Sequence, residues 1–311
     1  MSARLGGGPD IVIAGAARSG TSFLASTLGG HPQVDACAVK EPNYFSREFA
    51  RGEEWYDALF PARRDDRLRL DASMSYTFPH FPDALDRLAE AAPGATVLYL
   101  VRHPVARMLS HFQLHRDYFR NEPASTLGAA LDRGSVYAGT SDYAEWLRRL
   151  DKLFGPDRLL VVPFSAVTGH LEEVLDVVAD RTGLERAPFD AAAETARAHR
   201  NDVVALRGRG VLLGRRLVRR SGLYPALRRG LGPDRLRRVR SLVTRPVETE
   251  SLAGALATCR VEQRVMLAER YASATAAVAD HLATQDVRLG LDWSSVWSRE
   301  CPLPGRCGSD W

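Results

Sequence analysis

Ile11-Val-Ile-Ala-Gly15-Ala-Ala-Arg18-Ser-Gly20-Thr-Ser22-Phe-Leu24 runs four apolar residues into a glycine tract and then into an apolar-periodic segment that continues to Leu28. That order predicts a buried strand, a tight loop and a helix. Such a loop turns backbone N–H groups and the positive helix terminus toward an anion. The spacing Gly15-x-x-x-x-Gly20-Thr21-Ser22 is that of the nucleotide loop G-x-x-x-x-G-K-[ST], but Thr21 stands in the lysine position. That lysine reaches the β- and γ-phosphates, so its absence counts against a kinase or NTPase. Arg18 offers a cation inside the loop instead. The competing reading is a glycine turn that serves the fold alone.

Further short apolar runs follow at Leu68 to Leu70, Thr96 to Val101 and Leu159 to Val162. Helical patterns lie between and after them, at Asp83 to Ala92, Val105 to Phe119, Tyr143 to Phe154 and Leu171 to Thr182, with Gly94, Gly155 and Gly183 past three of their ends. Strands alternating with helices predict an α/β fold of three layers, a parallel sheet flanked by helices on both faces, of P-loop-like form. No strand is expected after Pro188, where the chain turns helical and Arg-rich. A long Ala-rich helix is expected from about Ser251 to about Thr284, followed by Leu291-Asp-Trp293, whose apolar side chains would dock the C-terminal tail. The expected organisation is a single domain over 1–311. It comprises an α/β core at 10–188, an Arg-rich helical lid or acceptor region at 189–250, and a C-terminal helix and tail at 251–311.

A second candidate site follows the Thr96 run. In Leu98-Tyr-Leu-Val-Arg102-His-Pro104-Val-Ala-Arg-Met-Leu-Ser110 a buried strand ends at Arg102, and Pro104 opens a helix that carries Ser110 two turns along. An Arg at the C-terminal edge of a strand can fork onto a phosphate in the crevice where open α/β sheets bind ligands.

The 311 residues carry a net charge of +4 that hides an uneven distribution. From Arg197 to Arg245 there are fifteen arginines against two acids, Asp202 and Asp234, so this segment carries +13 and the rest of the chain −9. A local basic patch means an anionic partner or a solvated helix face. Apolar residues in the same stretch, Val211, Leu212, Leu217, Val218, Leu223, Tyr224 and Leu227, predict amphipathic helices that pack on the core or enclose an apolar acceptor. Only Lys40 and Lys152 are lysines, against forty arginines, so arginine abundance alone says little about phosphate. The four cysteines, Cys37, Cys259, Cys301 and Cys307, show no metal-ligand spacing; Cys301 and Cys307 are close enough in sequence to pair under oxidation. No stretch approaches the ~20 apolar residues of a membrane span, and the N-terminus lacks the apolar run of a signal sequence. A cytoplasmic location with no integral membrane segment is expected.

Gly15-Ala-Ala-Arg-Ser-Gly-Thr-Ser-Phe-Leu24, continuing to Leu28-Gly-Gly-His-Pro-Gln-Val34, resembles the 5'-phosphosulfate loop and helix of sulfotransferases that use 3'-phosphoadenosine 5'-phosphosulfate (PAPS). The nearer branch is the heparan-sulfate type with its bacterial relatives. The resemblance implies that Arg18, Ser19, Gly20, Thr21 and Ser22 hold the 5'-phosphosulfate, and that Arg102 and Ser110 hold the 3'-phosphate. It places Arg197 and Arg200 near the nucleotide. Lys40-Glu41-Pro42-Asn43-Tyr44-Phe45 resembles the segment that carries the family's catalytic glutamate, so Glu41 takes that role. An acceptor hydroxyl has a high pKa and needs a base in hydrogen-bond reach as it attacks sulfur, which a carboxylate in a partly dry pocket supplies. Arg18 and Lys40 are the candidates for stabilising charge on the leaving 3',5'-diphosphate. Tyr44, Phe45, Tyr76 and His115 are the candidates for the acceptor side, while His103, His111 and His199 read as packing residues.

One motif departs from the family. Where relatives read Glu-Lys-[Ser/Thr]-Pro-x-Tyr, this chain has Asp71-Ala-Ser-Met-Ser-Tyr76, without the cation and the proline. Asp71 at a strand end also suits the Mg²⁺-holding acid of an ATP-dependent phosphotransferase, which stays open as the second reading. A nucleic-acid-binding protein acting through the Arg-rich segment is the third, and it leaves Glu41, Arg102 and Ser110 without a joint account. The resemblance implies PAPS as co-substrate, no metal, and a small-molecule, glycoside or glycolipid acceptor of anionic or amphipathic character, without a nucleic-acid partner. A homodimer is compatible with this reading.

Overall fold

The computed structural model describes residues 8–134, 136–186 and 250–285, with two short strands at 204–206 and 244–246 and with Trp297. Its centre is a parallel sheet of β1 (Ile11–Gly15), β2 (Val34–Ala36), β3 (Leu68–Ala72), β4 (Thr96–Val101) and β5 (Leu159–Pro163), in the order β2-β3-β1-β4-β5. The register places Ile11 beside Leu70 on one side and Thr96 on the other, and Val97 beside Leu159. β2 is the strand that periodicity missed, because three residues are too few to show a period. It pairs with β3 from Val34 opposite Leu68.

Eleven helices are described. α1 (Thr21–Leu28), α2 (Glu53–Asp57), α3 (Ala84–Ala91) and α4 (Pro104–Gln113) are followed by α5 (Leu127–Leu131), α6 (Val136–Thr140) and α7 (Tyr143–Phe154). α8 (Phe164–Gly169) and α9 (Leu171–Thr182) follow β5, and α10 (Leu252–Ala257) and α11 (Val261–Thr284) lie near the C-terminus. Alternation along the strands builds two cores. Val12, Ala14, Val97, Tyr99, Leu159 and Val161 face α3, α4, α7 and α11. Ile11, Ile13, Leu98, Leu100, Leu160 and Val162 face α1, α8 and α9. Every residue of β1, β4 and β5 is buried, as expected of strands covered on both faces. Each such Val, Leu or Ile contributes about 1.5–3 kcal/mol of transfer free energy.

α1 and α3 lie on opposite faces, so the chain leaves β1 toward one side of the sheet and returns from β3 toward the other. That reversal opens a crevice at the C-terminal ends of the central strands, where open α/β sheets bind ligands.

Several expectations are corrected. The long helix from Ser251 is two helices broken at Thr258, Cys259 and Arg260. Ser251 caps the first, while the second opens with the Arg260 amide donating to Gln263 Oε1 at 2.9 Å. Gly128 of α5 packs so closely on the break that a Cβ there would stand 2.3 Å from the Thr258 carbonyl oxygen. The helix expected through Phe119 ends at Gln113 and continues as a wider π-helical turn, Leu114–Phe119, closed by Arg120 in the left-handed region. Strands do occur after Pro188: β6 (Val204–Leu206) pairs antiparallel with β7 (Thr244–Pro246), and its backbone runs beside the π-helical turn. Gly94 lies two residues beyond the actual helix cap, Ala92. Tyr143–Phe154 and Leu171–Thr182 form as expected, with Gly155 and Gly183 at their ends. The apolar stripe from Val211 to Leu227, the tail at Leu291 and Trp293, and the Cys301–Cys307 pair lie outside the described residues. Trp297 is buried against His103 and Tyr143. Among the described residues no helix is long and apolar enough to cross a membrane.

Candidate active site

β3, β1 and β4 are adjacent and parallel, so the segments leaving their C-terminal ends emerge side by side at the crevice. β1 must turn at once. Gly15 has no room for a side chain, since a Cβ would stand 2.2 Å from Thr77 Oγ1. The loop that follows passes through the left-handed region at Arg18 (φ 70°) and Gly20 (φ 89°). At Gly20 a Cβ would also press on the Phe164 ring at 3.0 Å, so glycine serves both the turn and the close approach.

Two arginines grip the loop by its carbonyls. Arg107 Nη1 donates to the Ala17 oxygen at 3.1 Å, and Arg102 Nη1 donates to the Arg18 oxygen at 3.3 Å. Arg18 Nε in turn donates to Ser110 Oγ at 3.0 Å. The two motifs that the sequence separates by 92 positions are thus in direct contact. Arg102 lies over the Phe164 ring, 5.0 Å from guanidinium carbon to centroid, and its backbone is pinned by Tyr143, whose hydroxyl accepts from the Arg102 amide and donates to the Arg102 carbonyl. Burial, followed by repulsion from Arg102 and Arg107, pulls the Arg18 pKa down to about 10.

What this arrangement leaves over suits an anion. The amides of Gly20, Thr21 and Ser22 meet no acceptor among the described residues. Ser19 Oγ is fully buried and finds no hydrogen-bond partner among them either, while the Ser19 amide is spent on the Ala16 carbonyl. Buried polar groups are normally satisfied, so donors left aimed at one place point to a ligand rich in acceptors.

Lys40 and Glu41 stand at the same end of α1. Lys40 Nζ donates to Ser22 Oγ at 2.5 Å and lies 3.4 Å from Glu41 Oε1. Their side chains are 46% and 30% exposed, so both remain within reach of solvent and of a substrate. Glu41 and Asn43 both sit at positive φ, 59° and 53°, a conformation that costs a non-glycine residue about 1–3 kcal/mol unless its surroundings impose it. Here they do. The Asn43 amide donates to Ser73 Oγ, Asn43 Nδ2 donates to the Glu41 carbonyl at 2.8 Å, and Ser75 Oγ donates to Asn43 Oδ1 at 2.6 Å.

The network ends on Asp71. Its carboxylate is fully buried and accepts from Ser73 Oγ at 2.6 Å, Tyr56 OH at 2.8 Å and Tyr76 OH at 2.6 Å. Burial raises its pKa, and the three hydroxyls oppose that shift. With both oxygens engaged this way, Asp71 serves in this arrangement as an acceptor for three hydroxyls.

The expected acceptor-side aromatics are also corrected. Phe45 and Tyr76 have no exposed surface and Tyr44 is 2% exposed. Tyr44 stacks on Tyr56 at 4.4 Å, and Phe45 meets Tyr56 and Tyr76 edge-on. They form the floor beneath the Lys40–Glu41 loop, because the two tyrosine hydroxyls turn inward to Asp71. His115 is half-buried between His111 and Phe119, and burial lowers its pKa. Arg197 and Arg200 lie outside the described residues. Sequence reasoning missed Arg107 and Phe164. The signal for Arg107 was a charged residue set among the apolar positions Val105, Met108 and Leu109 of a helix. Phe164, in the strand-end run Pro163-Phe-Ser165, carried none.

A parallel α/β sheet with a glycine loop after its central strand and an arginine cluster over it defines the P-loop-like class of anion-binding folds. A sulfotransferase family model matches residues 56–188, a span that contains Asp71, Arg102 and Ser110. Human heparan sulfate glucosamine 3-O-sulfotransferase 6 is 32% identical over 104 residues, 33% of this chain and 30% of that protein. Mouse heparan sulfate glucosamine 3-O-sulfotransferase 3A1 is 29% identical over 196 residues, 58% of this chain and 47% of its own length. The chain therefore spans less than half of the curated relatives it matches. A sulfotransferase from Alicyclobacillus acidocaldarius superposes with a TM-score of 0.51 at 25% identity, covering 58% of this chain and 83% of that structure. Residues 56–188 of the α/β core are thus similar to the sulfotransferase family.

Two predictions follow from the buried groups. Replacing Asp71 by Asn removes the charge that three hydroxyls serve, so stability should fall by about 1–3 kcal/mol. The Asn43 amide should then exchange with solvent faster than in the wild type, as read by hydrogen exchange. The second concerns His103, whose Nδ1 accepts from the Ala106 amide. Burial lowers its pKa from 6.5 to about 4, so it folds neutral while the unfolded chain takes up a proton below about 6.5. Stability should decline as the pH falls from about 6.5 toward about 4, with His103 contributing up to about 3 kcal/mol. Urea unfolding at both pH values should show a smaller decline in His103→Gln.

Proposed function

We propose that this chain transfers a sulfuryl group from PAPS to a hydroxyl, and less readily an amine, of a small-molecule, glycoside or glycolipid acceptor. The observation that carries this reading is the junction of Arg18, Ser110 and Arg102 over a loop whose Gly20, Thr21 and Ser22 amides meet no acceptor among the described residues. One anion at the loop and a second at Arg102 and Ser110 match a donor with a 5'-phosphosulfate and a 3'-phosphate. The match of residues 56–188 to the sulfotransferase family model supports the same donor.

In the proposed reaction Glu41 takes the acceptor proton as the acceptor oxygen attacks sulfur from the side opposite the leaving group. The bond between sulfur and the bridging oxygen breaks, and 3'-phosphoadenosine 5'-phosphate departs. In this reading Arg18 and Lys40 stabilise the charge that collects on that oxygen. Lys40 reaches the first turn of α1 through Ser22, so it supplies a cation that Ala72 does not. General-base help of this kind contributes ~10² to 10⁴ in rate.

Calorimetric titration with 3'-phosphoadenosine 5'-phosphate, beside ATP with Mg²⁺, tests the donor. The former should bind, and Arg102→Ala should weaken it by about tenfold or more, the equivalent of about 1.4 kcal/mol. Glu41→Gln should bind it as the wild type does and lose turnover by about 10² or more. Binding of ATP alone would sink the donor assignment, and full turnover in Glu41→Gln would sink the general base.

A further inference from the structure

We infer that Arg107 is a positioning residue for the donor anion, acting from behind the loop through the Ala17 peptide and through its own charge. The inference rests on the donor reading above. Arg107 has no exposed surface, yet it is a guanidinium in the middle of α4. Its Nε donates to Ser141 Oγ at 2.7 Å, Nη1 to the Ala17 carbonyl at 3.1 Å and Nη2 to the Tyr137 carbonyl at 2.5 Å, and Nη1 lies 3.3 Å from His111 Nδ1. All four partners are neutral. Burial, followed by repulsion from Arg107, His115 and Arg18, holds the His111 pKa well below 6.5, so its imidazole stays uncharged and can accept from Arg107.

A buried charge is normally paired, because taking an unpaired ion out of water costs several kcal/mol. No carboxylate is among the hydrogen-bond partners of Arg107 or of Arg18 among the described residues, nor among the neighbours that shift either pKa. Hydrogen bonds to two carbonyls and a hydroxyl do not by themselves require a full positive charge at this depth. An anion bound on the other side of the loop does supply the missing counter-charge.

The peptide geometry agrees. In a trans peptide the C=O and the following N–H point in opposite directions. By drawing the Ala17 oxygen toward itself, Arg107 turns the Arg18 amide the other way, and Arg102 does the same to the Arg18 oxygen. A carbonyl that faces a guanidinium cannot face an anion. Two consecutive oxygens are thereby kept from opposing the ligand, and Arg18 is held at its positive φ. Ser141, which accepts from Arg107 and donates to the Pro104 carbonyl, ties this support to the start of α4, two residues beyond Arg102.

The test compares Arg107→Met, which keeps the bulk and removes the charge, with Arg107→Lys, which keeps the charge and loses the fork. Each is titrated with 3'-phosphoadenosine 5'-phosphate at a series of salt concentrations, with circular dichroism and melting to establish folding. Arg107→Met should bind about tenfold weaker or worse, with a shallower dependence on salt. Arg107→Lys should recover much of the affinity and keep the wild-type salt dependence. Should Arg107→Met fail to fold, the lysine variant decides: retained salt dependence with a several-fold loss of affinity supports the inference. Wild-type affinity, within about twofold, in folded Arg107→Met overturns it, as does equal weakening in both variants with no change in salt dependence. Absence of binding to the wild-type protein is a different failure, since it removes the donor reading as well.

Discussion

β1 is buried on both faces along all of its residues, and this constraint governs what surrounds the crevice. A strand walled in by β3, β4 and helices on either side can release its chain only at its end. At Gly15 the release is immediate, under Thr77 and Tyr99, which leave no space for a side chain. The loop cannot relax sideways, so its carbonyls must find donors where they lie. Arg102 and Arg107 are those donors, and both come from the segment that follows β4. The pairing of β1 with β4 therefore assembles the anion site as well as the core.

Two kinds of polar interior meet at the crevice, and they are opposite in sign. On the β4 side three guanidiniums crowd together; burial, then the charge of the neighbouring arginines, lowers the proton affinity of Arg18 and Arg107. On the β3 side one buried carboxylate gathers three hydroxyls and, through Ser73 and Asn43, holds Glu41 in a conformation that isolated residues avoid. The first side leaves the Gly20, Thr21 and Ser22 amides without an acceptor among the described residues, and the second has both carboxylate oxygens engaged. That difference separates a binding surface from a scaffold. The proposed donor and the proposed base sit on opposite sides of it, with Lys40 between them, bonded to Ser22 and beside Glu41.

The loss of the family's lysine at Ala72 is consistent with this division. Asp71 is fully enclosed by Tyr56, Tyr76 and Ser73, and it serves the Glu41 loop from below. Lys40 approaches the first turn of α1 from the other segment and donates to Ser22 Oγ.

The primary sequence determined the strand, loop and helix around Gly15 to Leu28 and the parallel α/β class. These follow from local rules: apolar runs, glycine where the backbone must turn, proline at a helix start. Tertiary structure decided the rest. Tyr44, Phe45 and Tyr76 read as site residues because they neighbour Glu41 in the chain, but the hydroxyls of Tyr56 and Tyr76 reach a carboxylate that only strand pairing brings beneath them, and the rings are buried with it. The break at Thr258 depends on how closely Gly128 approaches it, and an Ala-rich sequence gives no sign of such a contact. Arg107 looked like one of forty arginines until α4 docked against the loop, because the meaning of a charge is set by the partners and the depth that folding assigns to it.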